Sequence, residues 1–163
     1  MNQEKDHLPV TGYGPYFILA MGAVTVLCVV FIHTGIAAPL GSNCILYHVF
    51  GIPVILVGIV IYLMAAFQSR IVKRIRAGEL VTTGIYGYVR NPIYCGILYV
   101  FFGVLLLQQN AIAFIAFGIY WVSLTVFLKK TEEQWLQKRY GKEFEDYMRR
   151  VNRFIVWPGK KSR

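Results

Sequence analysis

Apolar and polar positions along this chain separate into long blocks. Four apolar runs carry no Asp, Glu, Lys or Arg: Tyr16 to Ile32, Val49 to Phe67, Ile93 to Leu107 and Ala111 to Leu128. A stretch of roughly 17–25 apolar residues crosses a bilayer core, so the first, second and fourth qualify directly. The third is short by itself, and Pro92 and Gln108-Gln109 extend it. The pattern predicts an all-α, polytopic membrane protein with four transmembrane helices. Only Gln108, Gln109 and Asn110 separate the third and fourth runs, which predicts a tight antiparallel helical hairpin. Asn91-Pro92 marks the start of the third helix, a favoured cap followed by a favoured first residue. Pro53 is expected in the first turn or two of the second helix, where a missing N–H does least damage. Gln68 to Arg76 reads as a basic amphipathic extension, Ala77-Gly78 as its break and Leu80 to Tyr88 as a loop. Beyond Lys129, Leu136, Tyr140, Phe144, Tyr147 and Val151 recur at spacings of three or four. That predicts a cytoplasmic amphipathic C-terminal helix, divided at Gly141.

Composition sharpens this picture. Charged residues make up 15% of the chain, against about 25% in an average soluble domain. Mean hydropathy is +0.52. At 163 residues a single domain, 1–163, is expected. Residues 1–67 hold the first two spans and 68–163 a loop, the hairpin and the tail. The 17 basic residues orient the spans. Lys5 precedes the first run, five lie between the second and third, and eleven follow the fourth. The loop Gly35 to Ile45 and the hairpin turn carry none, so both termini are expected in the cytoplasm. The net charge of +9 then reflects topology and attraction to anionic membrane lipids, not nucleic acid. Cys28, Cys44 and Cys95 form no disulfide or ligand spacing, and His7, His33 and His48 are scattered, so no metal site is expected. The first run is long for a signal-peptide core and its leader is weakly basic, which favours a retained anchor. No pattern reports an oligomeric state.

Candidate chemistry gathers where the hairpin opens. A three-residue turn makes the cytoplasmic ends of the third and fourth helices neighbours. Arg90-Asn91-Pro92 is thereby brought toward Glu132-Glu133. Asn91 caps a helix N-terminus whose free N–H groups suit an anion. Arg90 adds a fixed cation, Glu132 and Glu133 add anions, and Tyr86, Tyr94 and Tyr140 add flat amphipathic surface. A ligand bearing a carboxylate, an ammonium and an aromatic ring finds a partner for each group, and S-adenosylmethionine is such a ligand. Each feature alone has a plainer reading: a topology signal, a helix start, an interfacial belt, or an exposed Lys129–Glu133 pair.

The ordered whole carries more. TGIYGYVRNPIYCG, a span, a tight turn, another span, then EE, RYGKEFEDYMRRVNRF and Pro158 resemble the integral-membrane methyltransferases. That family includes isoprenylcysteine carboxyl methyltransferases and phospholipid N-methyltransferases. The resemblance covers about Leu80 to Pro158. Arg90, Pro92 and Tyr94 match its Arg-His-Pro-x-Tyr element, with Asn91 standing where His is usual. It implies that Glu132 and Glu133 help hold S-adenosylmethionine and that Val81, Thr83, Gly84 and Tyr86 line its pocket. It implies too that the tail closes over the cofactor, through Tyr140, Gly141, Tyr147, Arg150 and Arg153.

The implied reaction is in-line methyl transfer to a lipid-like substrate that enters laterally from the bilayer. A carboxylate acceptor, as in isoprenylcysteine, needs no base, and Arg90 or Arg153 orients it, with Arg90 favoured. A phospholipid amine needs a base, for which Glu132 and Glu133 are the candidates. A different class of reading is a non-catalytic four-helix membrane protein that binds anionic lipid through its basic tail.

Overall fold

A computed structural model describes residues 14–35, 44–67 and 79–158, and every regular element among them is helical. Helix α1 runs Gly14–His33, α2 Cys44–Phe67, α3 Pro92–Leu106 and α4 Ile112–Lys130. Two short helices follow, α5 over Glu132–Tyr140 and α6 over Lys142–Arg150, and a 3-10 turn over Gly84–Gly87 precedes α3. The polar leader 1–13, most of the loop between the first two apolar runs (36–43) and the basic stretch Gln68 to Gly78 lie outside the described residues.

Among the described residues three stretches are long and apolar enough to cross a membrane: Gly14–His33, Ile45–Phe67 and Ile112–Tyr140, the last owing this to α4. The remaining apolar run forms a shorter helix than its sequence suggests. At 15 residues, α3 is about 22 Å long, against a bilayer core of about 30 Å. Gln108 and Gln109 do not lengthen it. Their N–H groups donate to the Leu105 and Leu106 carbonyls at 3.0 Å each, and Gln109 takes φ +54° to close the turn. The Asn110 side chain accepts from the Ile112 N–H at 3.0 Å and opens α4. The hairpin expected from the sequence is therefore present.

Helix α2 starts before its apolar run, so Pro53 lies well inside it rather than in its first turns. Among the described helices the most extensive packing is between α2 and α3. Gly51 and Gly58 of α2 meet Gly103 and Gly96 of α3 in antiparallel order. A Cβ on Gly58 would come within 2.6 Å of the Gly96 carbonyl oxygen, and one on Gly96 equally close to that of Gly58. Such contact between backbones needs small residues on both faces. It anchors α3, and the hairpin mouth with it, against α2.

The main core gathers Met21, Ile61, Val89, Leu98, Tyr120, Leu124 and Phe154 from across the helices. Outward faces remain apolar: Leu19 and Leu27 on α1, Leu56 on α2, and Ile115, Ile119 and Val122 on α4 are exposed. Surfaces of this extent suit lipid rather than water.

The tail is less continuous than its periodicity implied. It breaks at Thr131 (φ −118°, ψ −86°), whose hydroxyl donates back to the Phe127 carbonyl at 2.7 Å. It breaks again at Gly141, as expected, with φ +52°, a conformation glycine adopts freely. Phe144, Tyr147 and Val151 are buried in a second cluster with Leu80, Leu136 and Tyr140. The predicted apolar stripe is thus real but spread over two helices.

Candidate functional site

The break at Thr131 has a chemical consequence. It makes Glu132 and Glu133 the first residues of a new helix, where the N-terminal partial charge favours anions. Both acids stand beside the loop that leads into α3.

Glu133 is 8% exposed and sits between two guanidinium groups. Arg153 grips it as a fork: Nε donates to Oε1 and Nη2 to Oε2, both at 2.8 Å. Arg90 approaches from the other side, with Nη1 3.3 Å from Oε1. The Lys129–Glu133 pair suggested by spacing gives way to these two partners. Forked pairing of this kind is among the stronger charged contacts.

Arg90 is the unusual member. Its side chain is 10% exposed, yet Nε and Nη1 have no hydrogen-bond partner among the described residues. Burial pulls its pKa below the ordinary value, Glu133 opposes that shift and Arg153 adds to it. Buried donors without acceptors are costly, by about 1–3 kcal/mol each. Two guanidinium groups share one carboxylate, so these three side chains together carry an excess of positive charge.

Glu132 faces a different environment. The Tyr94 hydroxyl donates to its Oε1 from the first turn of α3. Burial, with the Glu132 charge second, pushes the Tyr86 phenol up to about 12. Burial also raises the pKa of Glu132 itself, and the Tyr94 hydrogen bond opposes that shift.

A strap closes the arrangement. After α6 the chain returns along residues 151–157 and pairs with the loop before α3. The Arg90 N–H donates to the Asn152 carbonyl at 2.8 Å and the Trp157 N–H to that of Tyr88 at 3.1 Å. Cys95 Sγ and the Tyr99 hydroxyl both donate to the Phe154 carbonyl, at 3.1 and 3.0 Å. The Tyr147 hydroxyl donates to the Tyr86 carbonyl at 2.7 Å, and burial raises the Tyr147 pKa. Beside the strap is an apolar cavity of about 410 Å³ between α2, α3 and α4, lined by Val57, Tyr99, Phe102, Phe117, Trp121 and Ile155.

The sequence-derived residues divide accordingly. Arg90, Glu133 and Arg153 converge, and Tyr94 joins Glu132. Val81 and Pro92 are buried behind them. Thr83 precedes the 3-10 turn and Gly84 opens it with φ +66°. Asn91 occupies the cap position of α3 but makes no side-chain cap bond; its backbone carbonyl accepts from Cys95 N–H at 2.9 Å. Its φ and ψ of −122° and 66° turn the chain into the helix without that bond. Tyr140 lies in the second cluster, beside Trp135 and under the Arg139 guanidinium. Sequence reasoning missed the strap contacts of Cys95, Tyr99 and Phe154. Their one sequence signal is that Cys95 and Tyr99 stand four apart on a single helical face. Among the described residues no group of His, Cys, Asp and Glu could hold a metal ion.

Residues 46–143 match the model of a family described as phospholipid methyltransferase. The match takes in α2, where sequence reading found nothing specific to a family, and leaves α1 outside. The chain is 36% identical over 82 residues to a protein-S-isoprenylcysteine O-methyltransferase of Dictyostelium discoideum, which covers 49% of this chain and 32% of that protein. It is 35% identical over 81 residues to the enzyme of the same name in Schizosaccharomyces pombe, covering 48% and 34%. The chain spans about a third of the length of these curated relatives. No solved structure matches it.

Proposed function

This chain belongs to the phospholipid methyltransferase family, and from that premise we propose that it methylates the carboxylate of an isoprenylcysteine-type lipid with S-adenosylmethionine as donor. The observation that carries the reading is Arg90, a buried cation whose Nε and Nη1 make no hydrogen bond among the described residues, Nη1 meeting Glu133 only as an ion pair at 3.3 Å. A carboxylate acceptor supplies what they lack. Arg153 is committed to Glu133 through both nitrogens of its fork. That leaves Arg90 to orient the acceptor, with Glu133 and Arg153 fixing its position.

The residues fit the proposed cofactor. Glu132, held by Tyr94, is an anion for its ammonium, and Val81, Thr83, Gly84, Tyr86, Asn91, Pro92 and Tyr140 form the surrounding wall on this reading. When bound, the cofactor supplies a methyl group on a sulfonium, already activated for displacement. An ionised carboxylate needs no proton removed, so the chain contributes orientation and exclusion of water. The strap performs the exclusion and the 410 Å³ apolar cavity receives the lipid chain. On this reading 1–163 is one domain, α3 is a fourth, short span, and both termini and the tail are cytoplasmic.

A phospholipid amine is the second reading. What favours it is Glu132, a carboxylate bonded to a phenol instead of a cation and so available as a base.

The test is transfer of labelled methyl from S-adenosylmethionine by the purified chain in lipid nanodiscs. Acceptors are an isoprenylcysteine and phosphatidylethanolamine. Label on the isoprenylcysteine that alkali releases as methanol marks an ester and supports the first reading. Alkali-stable label on the phospholipid marks an amine and supports the second. No transfer to either acceptor contradicts both.

A further inference from the structure

Helix α1 lies outside the residues that match the family, yet its first residue touches the site. Gly14 is buried against Tyr94. A methyl group placed on Gly14 would overlap the Tyr94 hydroxyl and come within 3.3 Å of the ring carbon that bears it. That same hydroxyl donates to Glu132. Phe127 of α4 packs edge to face with the Tyr94 ring at 6.5 Å, and Phe17, one turn after Gly14, stacks on Phe127 at 4.9 Å. Three helices therefore meet around one phenol, and the gap left by a missing side chain lets its oxygen reach the acid.

We propose that Gly14 is a positioning residue: it makes room for the Tyr94 hydroxyl to hold Glu132 in place, so that the first helix sets the geometry of the cofactor's cation subsite. This rests on the reading of Glu132 given above. Any larger residue at position 14 pushes against the far end of the Tyr94 side chain, the atom easiest to displace. The displacement then falls on the Tyr94–Glu132 bond before it falls on the fold.

The experiment is calorimetric titration of S-adenosylhomocysteine into the full chain in nanodiscs, for wild type, G14A, Y94F and G14A/Y94F. Each single variant is expected to weaken binding about tenfold, the loss of one hydrogen bond to a charged group. The double variant is expected to bind no worse than Y94F, because both changes remove the same bond. Thermal midpoints of the ligand-free proteins are read alongside. G14A is expected to lower the midpoint when Tyr94 is present and to lower it less in the Y94F background, where only the 3.3 Å contact with the ring carbon remains. Wild-type affinity in G14A, even with a lower midpoint, makes Gly14 merely structural and overturns the proposal. So does a double variant whose loss is the product of the two single losses. Absence of binding by folded wild type instead defeats the reading of the site and this proposal with it. The ligand-free midpoints still report whether Gly14 and Tyr94 touch.

Discussion

The glycine seam between α2 and α3 and the charged cluster at the hairpin mouth are both buried, and they obey opposite rules. At the seam nothing can be added. Gly58 and Gly96 bring two backbones so close that a single methyl group would strike a carbonyl oxygen at 2.6 Å. At the mouth charges are packed together: Arg90 lies 3.3 Å from Glu133, and its Nε and Nη1 make no hydrogen bond among the described residues. The seam is packed for stability. At the mouth a buried guanidinium with unmade hydrogen bonds costs stability instead. The lesson is to separate residues that hold the fold from residues the fold tolerates.

The largest expected effect that would break this contrast is at Glu133. Glu133→Gln leaves Arg90 and Arg153 facing one another without their shared anion. A buried pair broken on one side loses about 3–5 kcal/mol. Denaturant or thermal unfolding in micelles should show that loss, together with loss of methyl transfer. A stability change under about 1 kcal/mol would mean that water screens the cluster in spite of its burial.

The seam comes next. Gly96→Ala should cost about 1–3 kcal/mol, the usual penalty of overpacking. Methyl transfer per folded molecule should remain, since Gly96 touches no charged group of the mouth. Full stability in Gly96→Ala would show that the helices can part without cost and that the seam does not anchor α3.

The smallest effect sharpens the role of the strap. Tyr147→Phe removes the hydrogen bond to the Tyr86 carbonyl. About 1 kcal/mol of stability should be lost. Cofactor affinity should fall less than in any variant of Glu132. An affinity loss as large as that of Glu132→Gln would move Tyr147 into the cofactor site.

Much of this was legible in the sequence, for local reasons. Apolar runs without charge translate into α1, α2 and α4 because each is a single stretch whose length is its signal. The three-residue hairpin turn was enough to bring Arg90 toward Glu132 and Glu133. The rest depends on long-range return of the chain. That Arg153 grips Glu133 follows from the strap folding back along residues 88–99, which no spacing rule encodes. The seam was hidden because Gly51, Gly58, Gly96 and Gly103 declare nothing until two helices are set side by side. Pro53 misled because α2 starts at Cys44, ahead of its purely apolar stretch. Asn91-Pro92 did mark the start of α3, but cap preference describes a residue type, and the loop geometry here supplies the turn without the side-chain bond.

The central claim is that Arg90 is kept for an anionic acceptor and not for the fold, and Arg90→Met tests it most directly. Methionine keeps much of the apolar stem and removes the charge, while Glu133 retains its fork with Arg153. Unfolding and methyl transfer should be measured on the same preparation. The account predicts stability equal to wild type or higher, and transfer to an isoprenylcysteine reduced at least about a hundredfold. Unchanged transfer, or a stability loss of about 3 kcal/mol or more, would make Arg90 a structural ion-pair partner and contradict the account.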